Sequence, residues 1–281
     1  MLSGMKKDRG TDWGQTAPYW EKHRDVIRTM FAPVTEALIA ETKIVRGFHV
    51  LDLGTGPGEP AMTVAGLVGP EGRVLGVDPA PEMIAAAQRA ATRQGVRNVT
   101  FEVASADHLS LASASFDAIV SRFAIMFFAS PVEAVRTILP ALKSGGRMAF
   151  AVWAPADHNP FHNIFSRVVE RYVPPALPPP ETSDAFRFAG SGKLLAVLAE
   201  AGTIQAAERV LQFRIEAPVP VEDFCDLRFE MSERLRTRLA ALTPGTLEAV
   251  RNEIINELRL YSTGSGLSFP AEVLIVSGLK P

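Results

Sequence analysis

Residues 50–60 read VLDLGTGPGEP, a segment in which a short apolar run ends in three closely spaced glycines. Three apolar residues surround one acid, Asp52, and the glycines follow at positions 54, 56 and 58. Glycine tolerates positive φ angles and lets another group approach the backbone closely. The segment therefore predicts a buried strand that turns tightly into a helix around a ligand.

On both sides of this turn, short apolar runs alternate with segments of helical spacing. We expect strands at 49–54, 73–78, 98–105, 116–125 and 147–153, and helices at 60–69, 81–95 and 131–146, the last closed by Gly145 and Gly146. Strands that alternate with helices form βαβ units and a mostly parallel sheet. Nearly continuous apolar strands fit a sheet covered on both faces. The sequence therefore predicts a doubly wound, Rossmann-like α/β core.

The remaining segments are expected to complete a seven-stranded sheet and to cap it. The expected elements are helices over 15–46 that divide at Pro33, a polyproline stretch at 173–180, a helix at 193–202, a strand at 205–217, helices over 220–262 and a strand at 271–280. The expected segments are an N-terminal helical cap at 1–44, the ligand-binding α/β core at 45–154, a cap loop, helix and sixth strand at 155–219, a helical insertion at 220–266 and a final strand at 267–281.

Composition and charge argue against several classes of partner. Of the 281 residues, 29 are Lys or Arg and 31 are Asp or Glu, so the net charge is −2 and the pI about 6.2. This balance gives no attraction for nucleic acid or for an anionic membrane. Cys225 is the single cysteine, which excludes an intrachain disulfide and a cysteine zinc cluster. Because no apolar leader or long apolar run occurs, we expect a cytoplasmic protein without stable membrane association.

The spacing of the glycines argues against the common nucleotide-binding turns. A dinucleotide fingerprint GxGxxG that starts at Gly54 would need a glycine at position 59, which is Glu59. The Tyr-xxx-Lys pair of short-chain dehydrogenases is absent, since His23, Ala176 and Ser265 stand four residues after the three tyrosines. No Gly-Lys-Ser/Thr follows the turn, so it is not a Walker A loop.

The acid two residues before the first glycine, in DLGTGPG, resembles the first motif of the class I S-adenosylmethionine (SAM) methyltransferases. Four further segments resemble the same family: GVDPAPEMIAAA at 76–87, SADHLSL at 105–111, FDAIVSRFAIMFF at 116–128 and LKSGGR at 142–147. The resemblance covers residues 45–155 and is greatest to the UbiE-type small-molecule branch. It implies the methyltransferase fold, SAM as cofactor and S-adenosylhomocysteine (SAH) as product.

The resemblance also implies where SAM binds, at the carboxyl ends of the first strands. The glycine turn would approach the methionine part, and Asp52 would bind its ammonium group. Asp78 would accept both ribose hydroxyls, Asp107 would accept the adenine amino group, and Met83 would cover the adenine ring. The expected cofactor contacts are Asp52, Gly54, Thr55, Gly56, Asp78, Pro79, Met83, Ala106, Asp107 and Ser121. Two alternatives stay open, namely that Asp78 caps a helix and that Asp107 caps a turn.

Aromatic residues outside the core predict the site of the methyl acceptor. The candidates lie in the N-terminal segment and after the fourth and fifth strands: Trp13, Tyr19, Trp20, Phe123, Phe127 and Phe161. An aromatic enclosure suits a small, largely apolar acceptor. The alternative is that these rings only pack the cap against the core. We expect residues 10–31 and 155–182 to cover the site and to close over the acceptor.

Methyl transfer from SAM is an in-line displacement, and it needs a base only for some acceptors. The candidate bases are His158, His162 and His23, and each of them could instead be a packed or surface histidine. Pro160 separates His158 from His162 and no HExxH pattern occurs, so no metal site is expected. The oligomeric state stays open.

Two alternatives to a small-molecule methyltransferase remain at this point. One is a SAM-binding protein of the same fold that does not transfer a methyl group. The other is a nucleic-acid methyltransferase. The segment SRFAIMFF at 121–128 disfavours the second, because it lacks the Asn/Asp-Pro-Pro-Tyr/Phe element used on amino groups of bases.

Overall fold

A computed structural model describes residues 13–173 and 184–281 of the chain. The N-terminal part of the fold consists of three helices, followed by five strands and the helices that connect them. These elements are α1 Trp13–Lys22, α2 Arg24–Met30, α3 Ala32–Thr42, β1 His49–Leu53, α4 Ala61–Val68, β2 Arg73–Asp78, α5 Pro81–Gln94, β3 Val99–Val103, β4 Phe116–Arg122, α6 Pro131–Ile138 and β5 Leu142–Trp153.

The C-terminal part adds a cap and the remaining strands. Its elements are α7 Pro160–Tyr172, α8 Lys193–Glu200, β6 Ile204–Ala217, α9 Val221–Met231, α10 Glu233–Leu239, α11 Pro244–Leu258, β7 Ser262–Thr263 and β8 Gly266–Leu279. The three helices α9, α10 and α11 lie between β6 and β8 in the chain, where the sequence predicts a helical insertion.

The strands form one sheet in the order β3-β2-β1-β4-β5-β8-β6, and the two-residue strand β7 pairs with β8. The first five strands are parallel, whereas β8 runs antiparallel between β5 and β6. Val50, Leu51 and Leu53 of β1 are fully buried, because helices cover both faces of the sheet. The predicted doubly wound, seven-stranded α/β fold is confirmed, with β7 as a short addition.

The connection from α6 to β5 differs from the predicted long helix. Helix α6 ends at Ile138, and a short 3-10 turn that contains Pro140 leads into β5 at Leu142. A proline inside a helix removes a backbone donor and clashes with the preceding turn. Gly145, at φ +73°, therefore lies within β5 rather than at a helix end, and the pairing of β4 with β5 shifts register there.

Two further helices depart from the expectation. The N-terminal region divides at Phe31, and Pro33 lies in the first turn of α3, where its missing N–H costs nothing. The segment after β5, expected as a cap loop, contains the thirteen-residue helix α7. Its buried residues Phe161, Ile164, Phe165 and Val168 follow helical spacing, so the signal was present in the sequence.

Candidate functional site

The glycine turn folds over the end of the neighbouring strand, as its spacing predicts. The backbone N–H groups of Gly54 and Thr55 both donate to the carbonyl of Val77, at 2.8 and 3.0 Å. Gly54 has a φ of +67°, and a Cβ atom placed on it would lie 2.2 Å from the Cβ of Ala124. The turn is thus packed directly against the exit of β4, and only glycine fits at position 54.

Asp78, at the end of β2, organises this turn and the start of the next helix. Its Oδ2 accepts the N–H of Gly56 at 3.0 Å, and its Oδ1 accepts the N–H of Ala80 at 3.0 Å. Burial raises the pKa of Asp78, and the two backbone donors oppose that rise. Asp78 does not itself cap α5, because Ala80 is the N-cap residue; instead, Asp78 fixes the backbone just before the helix. Each carboxylate oxygen also keeps acceptor capacity for a ribose hydroxyl.

A cavity of about 190 Å³ lies at the carboxyl ends of the parallel strands. Its walls come from the glycine turn, from the residues after β2 and β3, and from the exit of β4. The lining residues are Gly54, Val77, Pro79, Ala104, Ser105, Ala106, Phe127, Phe128 and Ala129. Four predicted site residues, three for the cofactor and one for the acceptor, thus share one cavity.

A larger open groove of about 550 Å³ lies between α5 and β3, at the opposite end of β3 from the glycine turn. It is lined by residues such as Gln88, Gly95 and Val99, and none of the predicted site residues reaches it. Open α/β sheets bind ligands at the carboxyl ends of their strands. We therefore place the candidate site at the smaller cavity.

Three expected cofactor contacts lie inside the protein, behind the turn. Asp52 is fully buried, and its Oδ2 accepts the N–H of Ala61 at the start of α4. The hydroxyl of Ser121 donates to the carbonyl of Leu53 at 2.9 Å. The Thr55 hydroxyl and the Oδ1 of Asp52 are buried, and neither makes a hydrogen bond of good geometry to the described residues, although the two groups interact. These side chains face the covered interior of the sheet, so they support the turn and do not line the cavity.

The carboxylate of Asp52 is electrostatically unusual. Burial raises the pKa of the Asp52 carboxyl to about 7. The Thr55 hydroxyl, the Arg122 guanidinium and the N–H of Ala61 favour the charged carboxylate and so limit this rise. The guanidinium of Arg122 is itself buried and donates to the Thr35 hydroxyl at 2.8 Å. The turn therefore rests on a buried carboxylate that holds its proton more tightly than an ordinary aspartate does.

Met83 and two of the predicted acceptor residues form a separate apolar cluster. Met83 is 3% exposed and packs with Ala17, Trp13 and Trp20. Met83 therefore lies under helix α1 rather than at an open adenine site. Asp107 lies in a 3-10 turn, but its side chain is outside the described residues, so its role stays a prediction.

The aromatic candidates separate into rings near the cavity and rings in the cap. Trp13 contacts Phe127, a cavity residue, with ring centroids 5.0 Å apart. Phe123, which has a φ of +61°, stacks on Trp153 at 4.3 Å, a residue that the sequence did not single out. Phe161 is 1% exposed and belongs to the core of the cap, as the packing alternative stated.

Tyr19 is turned toward the insertion and not toward the cavity. The guanidinium of Arg236, on α10, lies 4.9 Å from the centroid of the Tyr19 ring. The N-terminal cap and the helical insertion therefore contact each other. The polyproline stretch at 174–180, predicted as part of the cap, lies outside the described residues.

Two of the three candidate bases are held in ion pairs with distant elements. His158 is half exposed, and its Nδ1 lies 2.6 Å from the Oε2 of Glu272 on β8. That hydrogen bond raises the pKa of His158. His23 contacts Glu230 of α9 at 2.5 Å. Neither histidine lines the cavity. The acids that hold them, Glu272 and Glu230, lie on β8 and α9.

His162 is the candidate base that lies in an enclosed environment. Its ring centroid is 4.4 Å from that of Trp153 and 5.4 Å from that of Phe186. Its Nδ1 is 3.3 Å from the Nη2 of Arg228, on α9. Sequence reasoning missed Arg228, although it stands on the apolar side of α9 with Phe224 and Leu227, where a charge is unexpected.

Metal and membrane features were sought in the same described ranges. Within 13–173 and 184–281, no three His, Cys, Asp or Glu side chains come together as metal ligands. In that part of the chain, no helix combines the length and the apolar character needed to cross a bilayer.

Comparisons with known proteins agree with this geometry. Residues 44–170 match the family described as "Methyltransferase domain". The aklanonic acid methyltransferase DauC of Streptomyces is 35% identical over 120 residues, which cover 43% of this chain and 54% of that protein. The UbiE C-methyltransferase of Francisella philomiragia is 26% identical over 193 residues, or 62% of this chain and 76% of that protein.

A solved structure shows the same fold around a bound cofactor product. Phosphoethanolamine N-methyltransferase 2 of Haemonchus contortus, in complex with SAH, matches with a TM-score of 0.57 at 17% identity, over 96% of this chain and 59% of that one. The chain spans between 27% and 54% of the length of three of the curated relatives that it matches. Residues 44–170 therefore resemble a methyltransferase domain, and the chain shares the Rossmann-like fold of the solved methyltransferase structure.

Proposed function

We propose that this protein transfers a methyl group from SAM to a small, largely apolar acceptor. The observation that carries the proposal is the cavity at the strand ends, which is bordered by Gly54 of the glycine turn and by Val77 and Pro79, the two neighbours of Asp78. The family match over residues 44–170 supports it. The aromatic rings beside the cavity support an apolar acceptor, and the Streptomyces relative is named for the methylation of a small molecule, aklanonic acid.

The residues present fit SAM. The backbone at Gly56 is open, because a Cβ there would meet nothing within 4 Å, while Gly54 is closed against Ala124. The turn thus offers an exposed backbone edge to a ligand. Asp78 would hold the ribose, Ala106 would give a backbone donor to the adenine, and Asp52 would act through the turn.

When bound, SAM supplies an activated methyl group on a sulfonium centre. The chain's own contribution is to bind, to orient and to exclude water. Phe127 lines the cavity and contacts Trp13, and the stacked rings of Phe123 and Trp153 form an aromatic wall at the ends of β4 and β5. Alignment of two reactants in this way is worth up to about 7–11 kcal/mol of the barrier in model systems. We propose no general base, since His158 and His23 are ion-paired and His162 is bound to Arg228.

The relationship to the UbiE-type branch is also part of this proposal. Its support is the Francisella relative, whose match extends over 193 residues and so beyond the core. The aromatic wall agrees with a cyclic, apolar acceptor.

The test begins with thermal unfolding in the presence of SAM, SAH or NAD. A ligand at about 100 times its Kd stabilises the folded state by about 2.7 kcal/mol, so SAM and SAH should raise Tm by several degrees. NAD is the matched control and should leave Tm unchanged. SAH formation from SAM is then measured with a panel of small aromatic acceptors. Stabilisation by SAH with no turnover on any acceptor would favour the SAM-binding protein without methyl transfer.

A further inference from the structure

Arg228 is a buried cation without an acidic partner. It is 8% exposed, and no carboxylate of the described residues lies within ion-pair distance of it. Its guanidinium lies over the rings of Phe161 and Phe165, 4.1 and 5.4 Å from their centroids. Burial lowers its pKa to about 10, so the group stays charged at neutral pH. Its Nε is buried and has no hydrogen-bond partner among the described residues.

The other buried arginines show how unusual this is. Arg122 is attracted by Asp52 and Glu59 and donates to the Thr35 hydroxyl. Arg24 donates to the carbonyl of Pro57 in the glycine turn. Both of them fasten helices to the turn through their terminal N–H groups, although the Nε of Arg24 also has no partner among the described residues. For Arg228, the neutral ring of His162 is the polar contact that the structure shows.

His162 adds a second unused donor to the same place. An arginine can only donate, so the Nδ1 of His162 accepts from Arg228 and the ring proton is on Nε2. That Nε2 is buried and has no partner in the described part of the chain. Burial and the charge of Arg228 hold the pKa of His162 well below its ordinary value, so the ring is neutral. The pair therefore presents two unpaired N–H groups and one uncompensated positive charge.

The pair lies close to the candidate site. The ring of His162 contacts Trp153, which stacks on Phe123 at the exit of β4. Phe186 contacts His162 from the other side, and the adjacent Arg187 donates at 2.7 Å to the carbonyl of Phe128, a cavity residue. Two ring contacts thus separate the pair from the strand end beside the glycine turn.

We propose that Arg228 and His162 bind a carboxylate of the methyl acceptor, so that the acceptor is an apolar or aromatic acid. This inference rests on the proposed function and names the substrate class of that site. Leaving a charge buried and unpaired costs several kcal/mol, and a carboxylate matches the planar fork of an arginine. The indole of Trp153 lies between the pair and Phe123. The bound carboxylate would therefore be held away from the exit of β4, and it would orient the acceptor without taking part in methyl transfer. Both residues are positioning residues.

The experiment measures binding of acid–amide pairs to the full chain saturated with SAH. The probes are benzoate, 2-naphthoate and decanoate, each paired with its neutral amide. We expect at least one acid to bind ten times more tightly than its amide, because charge-assisted hydrogen bonds are about twice as strong as neutral ones. In Arg228→Met the preference should fall below twofold, while the affinity for SAH is unchanged. In the control Arg251→Met, which removes a guanidinium paired with Asp226 on the same insertion, the preference should remain.

Stability of the free protein separates a binding role from a packing role. Removal of a buried unpaired charge is often neutral or stabilising, so Arg228→Met should unfold at the same or a higher urea concentration than wild type. Arg228→Lys keeps the charge but loses the planar fork, and it should retain a reduced preference for the acid. Lower stability of Arg228→Met with an unchanged preference would assign Arg228 to packing and overturn the inference.

The outcomes also distinguish this inference from the proposed function. If wild type binds SAH but prefers none of the three acids over its amide, the carboxylate site is overturned and the methyltransferase proposal stands. If wild type does not bind SAH, the proposed function fails and this inference fails with it. If Arg228→Met and Arg228→Lys both retain the preference for the acid, the carboxylate binds at another place and the inference is overturned.

Discussion

The Oδ2 of Asp78 accepts the backbone N–H of Gly56 at 3.0 Å, which joins the end of β2 to the glycine turn that follows β1. The other carboxylate oxygen accepts the N–H of Ala80, where α5 begins. One buried side chain therefore fixes two backbone segments that border the cavity. The sequence offered a helix cap and a ribose ligand as alternatives; in the structure Ala80 is the N-cap residue of α5 and Asp78 holds its N–H, which leaves the ribose role as a prediction.

Replacing Asp78 with Ala should lower both stability and cofactor affinity. The buried N–H of Ala80 and the partly buried N–H of Gly56 lose their acceptor, so the free energy of unfolding should fall by about 1–3 kcal/mol in the free protein. Loss of charge-assisted bonds to the ribose should weaken SAH binding by roughly ten- to hundredfold. Urea unfolding and titration calorimetry measure the two effects. Asp78→Asn keeps an acceptor oxygen and should lose less stability, and the exposed Asp157→Ala is the control. Normal SAH binding by an unstable Asp78→Ala would leave only the helix-start role.

The contact between Gly54 and Ala124 predicts a suppressor pair. Gly54→Ala adds a Cβ 2.2 Å from that of Ala124 and also strains a φ of +67°. Gly47→Ala is the matched control, because Gly47 has a φ of +83° with open space around it. The control should lose about 1–2 kcal/mol by backbone strain alone. Gly54→Ala should lose more and should bind SAH poorly.

Ala124→Gly should restore part of that loss when it is combined with Gly54→Ala, because it removes the atom that clashes. A double-mutant cycle measures the coupling, which we expect at about 0.5–3 kcal/mol. Purely additive effects would show that the turn can move away from β4, and would contradict the close packing described above.

Ionisation of Asp52 should make stability depend on pH. Burial raises its pKa from 3.8 to about 7, so the folded state binds the proton more tightly than the unfolded chain. Stability is therefore full below pH 4 and falls as the pH rises toward 7. A shift of this size corresponds to about 4 kcal/mol at most. Asp52→Asn does not titrate, so its stability relative to wild type should increase between pH 4 and pH 8. A constant difference over this range, with the exposed Asp25→Asn as control, would contradict a buried, protonated Asp52.

Local patterns in the sequence were enough to predict the fold and several residues around the cavity. The glycine spacing, the alternating strands and helices, and an acid after each of two strands depend on a few neighbouring residues. The structure accordingly places Gly54, Pro79 and Ala106 around one cavity. Pro140 is a local signal too, because it ends α6 before the glycines at 145 and 146 that close the predicted helix.

Contacts between distant elements could not be predicted in this way. His158 and His23 follow elements that border the site, but Glu272 and Glu230, which hold them, come from β8 and α9. Asp52 and Ser121 precede the turn or end a strand as expected, and only the packing of both sheet faces shows that they point inward. Arg228 meets His162 because the insertion folds back on α7, which no local pattern predicts.

Helix α1 is fastened on two sides by ion pairs. Glu21 contacts Arg89 and Arg93 of α5, at 2.5 and 3.1 Å. Lys22 and His23 contact Glu230 of α9, at 2.8 and 2.5 Å. Through these contacts α1 joins the core to the helical insertion. The cavity beneath it, at about 190 Å³, is smaller than the roughly 300–1,000 Å³ of most ligand sites.

We therefore predict that α1 must move to admit SAM and that Glu230 controls this motion. Glu230→Ala removes the carboxylate that Lys22 and His23 both contact, and so loosens the attachment of α1 to α9. Amide exchange in residues 13–22 should accelerate by about two- to fivefold in the free protein, and the association rate of SAH should increase. Glu253→Ala is the control, because it removes an ion pair to α7 that does not involve α1. Hydrogen exchange and stopped-flow binding give the two readouts. If both variants leave the exchange of α1 and the SAH association rate unchanged, α1 is fixed structure, and SAM enters past the segment that includes Phe127 and Phe128 instead.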